Sequence, residues 1–284
     1  MKKILFLLFF ILYIWMLAFA NESDNVTVSG IADENVNWAI MPREPLFKPI
    51  LADPHWPKLY AAYHYYTSKL VKNGMTETSI GRTVPLLAIN TGSSPDIEIG
   101  VQANATMSFI EATTALDLIS ADYMVGVPVT FKWDKFSFLA RFYHRSGHLG
   151  DDVVIRDKIQ GKSVFSLEVL EGVMSFEPLE WLRLYGGGGY LYRPNPPDYG
   201  YWTYKLGAET HMKTDSFIFP ALVAAVNMDG YEGGKYTPMI SVAVGTEVFV
   251  SNVYLMLEFY EGYAYQGQYF QKKIRFMGIG FYIF

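Results

Sequence analysis

Ile97-Glu98-Ile99-Gly100-Val101-Gln102-Ala103-Asn104-Ala105-Thr106-Met107-Ser108-Phe109 is the stretch that decides the fold. Apolar side chains take every odd position, and polar residues or glycine every even one. Successive side chains of a strand point to opposite faces, so this run has one face suited to lipid and one suited to water. Tyr123, Val125, Val127, Val129 and Phe131 alternate in the same way with Asp122, Gly126, Thr130 and Lys132. Trp202, Tyr204, Leu206, Ala208 and Met212 do so against Thr203, Lys205, Gly207, Glu209 and His211. The runs at 135–147 and 236–250 behave alike, whereas those at 76–88, 216–229 and 271–284 are ambiguous.

Counting every such run predicts strands near 58–67, 76–88, 96–110, 120–133, 135–147, 163–177, 180–193, 200–213, 216–229, 236–250, 252–266 and 271–284, twelve in all. The connections at Trp133-Asp134-Lys135, Pro178-Leu179, Lys213-Thr214-Asp215-Ser216 and Val250-Ser251-Asn252 are tight, and the intervening ones are mostly longer. The connection at 89–95 is a longer one on the short-turn side. An even strand count with short turns at one end and loops at the other is the pattern of a closed transmembrane barrel. The expected fold is therefore all-β, a twelve-stranded antiparallel transmembrane barrel over 58–284. A soluble sandwich has no reason to show this parity.

Composition points the same way. The chain holds 21 Tyr and 20 Phe with only 18% charged residues, below the roughly 25% of a soluble domain. No stretch after residue 20 is long and apolar enough for a membrane-crossing helix, so a chain that lives in lipid must close a barrel to satisfy its backbone. There is no Cys, which excludes disulfides, thiolate metal sites and a lipid-bearing Cys. The formal net charge of −5 argues against nucleic acid as a partner.

Upstream of the barrel, Met1-Lys2-Lys3, the apolar run Ile4 to Leu17 and Ala18-Phe19-Ala20 form a basic, an apolar and a small-x-small segment. This is the pattern of a secretory signal, residues 1–20, cleaved after Ala20. Residues 21–57 then carry Pro42, Pro45, Pro49, Pro54 and Pro57, too closely spaced for a central strand or a helix. They read as a periplasmic leader or a plug. At the other end Phe276 to Phe284 finishes on an aromatic, similar to the terminal strand by which the outer-membrane assembly machinery recognises its substrates. Outer-membrane lipids and that machinery are the expected partners, and the outer membrane of a Gram-negative bacterium the expected location. Tyr63 to Tyr66, Tyr190 to Trp202 and Tyr260 to Tyr269 suit aromatic girdles.

Chemistry has few places to sit. Gly186 to Gly189 lacks a following Lys-Ser/Thr and is not a phosphate loop; inside a strand it lets the wall bend or another chain approach. His55, His64 and His211 show no ligand spacing and read as surface or lumen residues. Glu98, Arg141, Arg183, Lys205, Glu209, Glu247, Glu258 and Arg275 are expected on the inward face, where mixed signs in a narrow lumen pair and block it. Tyr143-His144-Arg145-Ser146-Gly147-His148-Leu149-Gly150-Asp151-Asp152 is the most specific constellation. Phe136, Phe138, Ala140 and Phe142 set the outward face, so alternation puts His144 and Ser146 on it, near the height of lipid headgroups.

A Ser attacks an ester when a neighbouring base takes its proton, and a His two residues away on a strand is a same-face neighbour. This stretch resembles outer-membrane phospholipase A, a twelve-stranded barrel with an outward His-x-Ser pair. That resemblance would make His144 the base and Ser146 the nucleophile, with Asp151 or Asp152 orienting His144 or holding calcium. It departs from that enzyme in having Gly147-His148 after the Ser and no Asn before Asn195.

Pro45 to Pro54, Ser120 to Pro128, Tyr143 to Asp151 and Arg183 to Tyr190 together resemble the bacterial family called domain of unknown function 1207, over about residues 42–284. The resemblance implies an outer-membrane barrel and supplies no activity. Three readings follow: a structural or narrow-channel barrel, an outer-leaflet lipid esterase, and a surface receptor working through the 148–162 loop.

Overall fold

The computed structural model describes residues 27–29, 37–68, 73–90, 95–111, 116–156, 164–216, 218–248 and 252–284. The expected signal at 1–20 lies outside these residues. Two short strands, β1 (Thr27–Ser29) and β2 (Asn37–Ile40), precede twelve longer ones. These are β3 (Leu59–Tyr66), β4 (Asn73–Asn90), β5 (Asp96–Glu111), β6 (Leu116–Trp133), β7 (Phe136–Leu149) and β8 (Phe165–Leu179). They continue as β9 (Leu182–Leu191), β10 (Trp202–Lys213), β11 (Ala221–Tyr231), β12 (Met239–Glu247), β13 (Val253–Tyr263) and β14 (Lys273–Ile283). Each pairs antiparallel with the next, and β14 returns to β3, with Ile283 opposite Leu59 and Phe276 opposite Tyr66. The barrel is closed, which leaves its twelve strands without a free edge. β2 adds to the far end of β4, and β1 to β2.

The alternation holds where it was clearest. Glu98, Gln102, Thr106 and Ser108 of β5 are buried inside, while Ile99 and Val101 are exposed outside. Pro85 interrupts β4 at a register shift, as a residue without a backbone N–H must. One boundary differs from expectation: β11 begins at Ala221, not 216, because Thr214 donates its N–H to Pro220 O across a wider turn. Of the aromatic groups, Tyr63, Tyr65, Tyr190, Tyr192 and Trp202 stand outside, but Tyr260 and Tyr265 are inside the barrel and belong to no girdle.

The interior is filled. Phe47, Ile50, Asp53 and Trp56 are almost completely enclosed, so the segment 46–58 runs inside the wall before joining β3. At the loop end, Tyr199, Tyr231, Tyr260, Tyr265, Phe270 and Phe276 form an aromatic cluster with Phe165 and Leu167. Among the described residues no helix is long and apolar enough to cross a membrane. A short helix, α1 (Asp151–Arg156), follows β7.

Candidate functional site

The inward side chains meet the 46–58 segment at nearly every level. Near the turn end Leu46 N–H donates to Glu98 at 3.0 Å, and Arg183 donates to Pro49 O at 2.9 Å and to Glu209 at 3.2 Å. Leu51 N–H donates to the other Glu209 oxygen at 2.6 Å. Deeper in, Lys205 Nζ bridges Asp53 at 2.5 Å and Glu171 at 3.3 Å, and Arg141 holds Glu171 at 2.5 Å and Gln102 at 3.0 Å. The Arg141 guanidinium also lies 4.6 Å from the Trp56 ring, and that of Arg183 4.7 Å from Phe47. Burial opposes ionisation of Asp53, but the neighbouring charges together, Lys205 first among them, hold the carboxyl well below the usual carboxylate range. Burial draws the Lys58 ammonium down from its ordinary value, and its Nζ donates to Leu51 O at 3.0 Å.

The wall beside Glu171 and Lys205 is closely packed at glycine. Gly187 and Gly189 share the inward face with Tyr185 and lie opposite Lys205 and Glu171 respectively. A Cβ on either would collide with the neighbouring strand or its side chains. The four-glycine run thus lets β8, β9 and β10 approach closely.

The loop 264–272 enters from the opposite end. Tyr265 Oη and Tyr60 Oη donate to one oxygen of Glu77, at 2.8 and 2.6 Å, while Ser108 donates to the other at 2.7 Å. Gly267 N–H donates to Asp122 at 2.7 Å, and Arg145 donates to Tyr265 O. His55 closes the gap from the other side, its Nε2 lying 3.3 Å from Tyr265 O. Asp53, His55 and Asp229 are brought together here, one potential ligand atom of each within 4.8 Å of the others. Burial, followed by the Arg145 charge, holds the His55 imidazole well below its ordinary range.

Most of the expected inward charges stand where alternation put them. Glu98, Arg141, Arg183, Lys205 and Glu209 are buried, and Glu258 accepts from His64 at 3.0 Å and from Tyr282 at 2.5 Å. Glu247 sits at the turn end, where it accepts Asn252 N–H at 2.7 Å. Arg275 is a correction: it lies on the outer face, paired with Glu261, because β14 turns Phe276 and Tyr282 inward. Glu77, Glu171, Asp229 and Asp53 were not anticipated. Glu171 was concealed because its own face of β8 is mostly apolar, with Phe165, Leu167, Val169 and Val173 turned inward.

On the outside, His144 and Ser146 do share a face near the loop end of β7. Register places Glu168 of β8 directly opposite His144 and Ser166 opposite Ser146. His144 Nδ1 lies 3.3 Å from Glu168 Oε1, with the two side chains 43% and 29% exposed. Asp151 is exposed at the first turn of α1, and Asp152 accepts Leu118 N–H at 3.0 Å. The acidic neighbour of His144 is therefore a residue of the adjacent strand, visible only once the register is known.

A closed barrel of twelve strands, apolar outside and filled with paired charges, defines a β-barrel of the outer-membrane type. The chain belongs to the family described as protein of unknown function (DUF1207), which matches residues 19–284. No curated protein matches it. Among solved structures, outer membrane phospholipase A from Escherichia coli is similar at 11% identity and TM-score 0.58, over 81% of this chain and 94% of that one. The Salmonella typhi outer membrane phospholipase dimer with bound calcium is similar at 13% identity and TM-score 0.59, over 82% and 94%. The KdgM porin aligns with 80% of this chain and 98% of its own at 9% identity and TM-score 0.45. At these identities the likeness to the two phospholipases shows the fold alone.

Proposed function

We propose that this protein is a structural barrel of the outer membrane of a Gram-negative bacterium, exported by its N-terminal signal and closed at rest by residues 46–58 acting as a plug. The observation that carries this reading is the contact of His55 with Tyr265 O, where a segment from the turn end and a loop from the other end meet inside the wall. A narrow water path opens only if the plug leaves. The terminal strand ending in Phe284 is the segment offered to the assembly machinery, and lipids of the membrane surround the outward Val, Leu and Phe side chains. In planar bilayers the refolded full chain is expected to stay electrically silent, while a variant with 46–56 replaced by a Gly-Ser linker conducts. Equal conductance of the two would remove the plug from the reading.

A second reading, an outer-leaflet lipid esterase, is favoured by one specific observation, the carboxylate of Glu168 at His144 Nδ1. A carboxylate at one ring nitrogen fixes the tautomer and supports the imidazolium that forms when the other nitrogen takes a proton. That other nitrogen would serve Ser146, the nucleophile of this reading, with calcium as its one suggested cofactor. The measurement is fatty-acid release from phospholipid and from lipopolysaccharide, with and without calcium, beside Ser146→Ala and His144→Ala. Silence of all three folded proteins would leave His144 and Ser146 as rim residues.

A further inference from the structure

The middle of the lumen holds an unresolved polar problem. Asp229 is buried on the inward face of β11, and one of its oxygens accepts from Asn227 at 3.0 Å while the other, Oδ1, has no partner. A buried carboxylate oxygen without a partner carries its full desolvation cost. The charges around it do not settle the matter. Asp53, Glu171 and Asp229 face Lys205 and Arg141, and both cations are engaged by Asp53 and Glu171. Arg145, the third cation nearby, is committed to Tyr265 O and Asp122. Asp229 is thus the carboxyl of the three that no cation engages.

His55 adds the second half of the argument. A carbonyl oxygen can only accept, so the contact of His55 Nε2 with Tyr265 O requires the proton on Nε2. In that tautomer Nδ1 presents a lone pair towards Asp53 Oδ1, 3.9 Å away, and within 4.8 Å of Asp229. Three acceptors therefore converge, and the His55 backbone N–H, which Asp53 Oδ1 accepts at 2.8 Å, leaves that oxygen a second lone pair. Histidines that bind metals characteristically donate their other ring N–H to a carbonyl or carboxylate, which is the arrangement found here.

We propose that Asp53, His55 and Asp229 form a site for one divalent first-row metal ion, Zn²⁺ being the best matched, which fastens the enclosed segment to β11. One imidazole nitrogen and two carboxylates suit zinc, with water completing the tetrahedron. Ligand atoms around zinc stand about 3.3 Å apart, given bonds of roughly 2.0–2.1 Å. His55, the least enclosed of the three, has the freedom to close the remaining gap. Lys205 occupies the far oxygen of Asp53, and Oδ1, which accepts the His55 backbone N–H at 2.8 Å, lies 3.9 Å from His55 Nδ1 with a lone pair to spare. The ion supplies the missing positive charge, and it ties two elements that are far apart in the chain.

The test is zinc binding to the refolded, chelator-treated full chain by titration calorimetry, beside Asp229→Asn, His55→Gln and the outer-face control His144→Ala. One equivalent of Zn²⁺ per wild-type chain is expected, with affinity falling at least tenfold in Asp229→Asn and His55→Gln and unchanged in His144→Ala. His55→Gln lies outside the strands and keeps the readout available should Asp229→Asn fail to fold. Absence of binding by folded wild type overturns the proposal and leaves a proton in the ion's place. Binding that survives in His55→Gln, or is lost in His144→Ala, overturns it in favour of an adventitious surface site. Conductance is not the readout, so the result is independent of whether the plug gates a water path.

Discussion

Among the described residues a histidine and a glutamate meet in two places, in opposite settings. Inside, His64 and Glu258 lie 3.0 Å apart with side-chain exposures of 2% and 13%; outside, His144 and Glu168 lie 3.3 Å apart at 43% and 29%. The inner pair is held further by Tyr282 donating to Glu258 at 2.5 Å and by the Phe276 ring stacked 4.2 Å from His64. The outer pair has register and one contact. The same chemical couple thus serves as scaffold where it is enclosed, and is free to move and meet other molecules where it is not. Enclosure turns a weak attraction into a constraint, because a buried group that loses its partner has no water to replace it.

The sharpest way to break the comparison is to remove a cation from the inner network. Arg141→Ala leaves Glu171 facing Lys205 alone and strips Gln102 and Trp56 of their partner. Breaking a buried pair in this way costs about 3–5 kcal/mol. Urea titration of the barrel in phospholipid vesicles should register that loss, with the folded gel mobility lost at correspondingly lower denaturant. A loss under about 1 kcal/mol, the range of exposed pairs, would mean that water reaches Arg141 and that the interior is open.

Glu258→Gln is the milder inner test, since the amide keeps an acceptor for Tyr282 but gives up the charge-assisted contact with His64. Its expected cost is about 1–3 kcal/mol, read by the same titration. Glu168→Gln is the matching outer change and should cost no more than about 1 kcal/mol. The two variants differ only in enclosure, so equal effects would contradict the contrast drawn between them. If the esterase reading holds, Glu168→Gln also lowers fatty-acid release at least tenfold with stability nearly untouched.

The same contrast explains what could be read in the sequence. β5 and β6 announce themselves because their inward faces carry polar groups such as Gln102, Thr106 and Thr130 while lipid lies outside. β14 is ambiguous, because Phe276 and Tyr282 face a filled interior and are apolar on that account, and in β8 Phe165 and Leu167 conceal Glu171 in the same way. A strand apolar on both faces has no period to detect. Arg275 was misplaced for this reason, and Glu171 was overlooked. The closure by residues 46–58 was legible as a choice between leader and plug, since proline spacing excludes a strand without saying where a loop goes. His144 and Ser146 were legible from local alternation, whereas Glu168 needed the pairing of β7 with β8.

Arg275→Ala is expected to have the smallest effect, and it tests the orientation of the last strand. The Arg275 side chain is 57% exposed beside Glu261 at 48%, on the outer face of the β13–β14 pair. Removing an exposed pair should leave the urea midpoint and the bilayer recordings unchanged. A shift of one residue in the register would turn every side chain of β14 over, sending Arg275 inside and Phe276 out. In that arrangement Arg275→Ala would behave as Arg141→Ala does, destabilising the barrel by kilocalories. Since β14 closes the sheet against β3, its orientation carries the stacked His64 and Phe276 with it, and a neutral Arg275→Ala supports the placement of both.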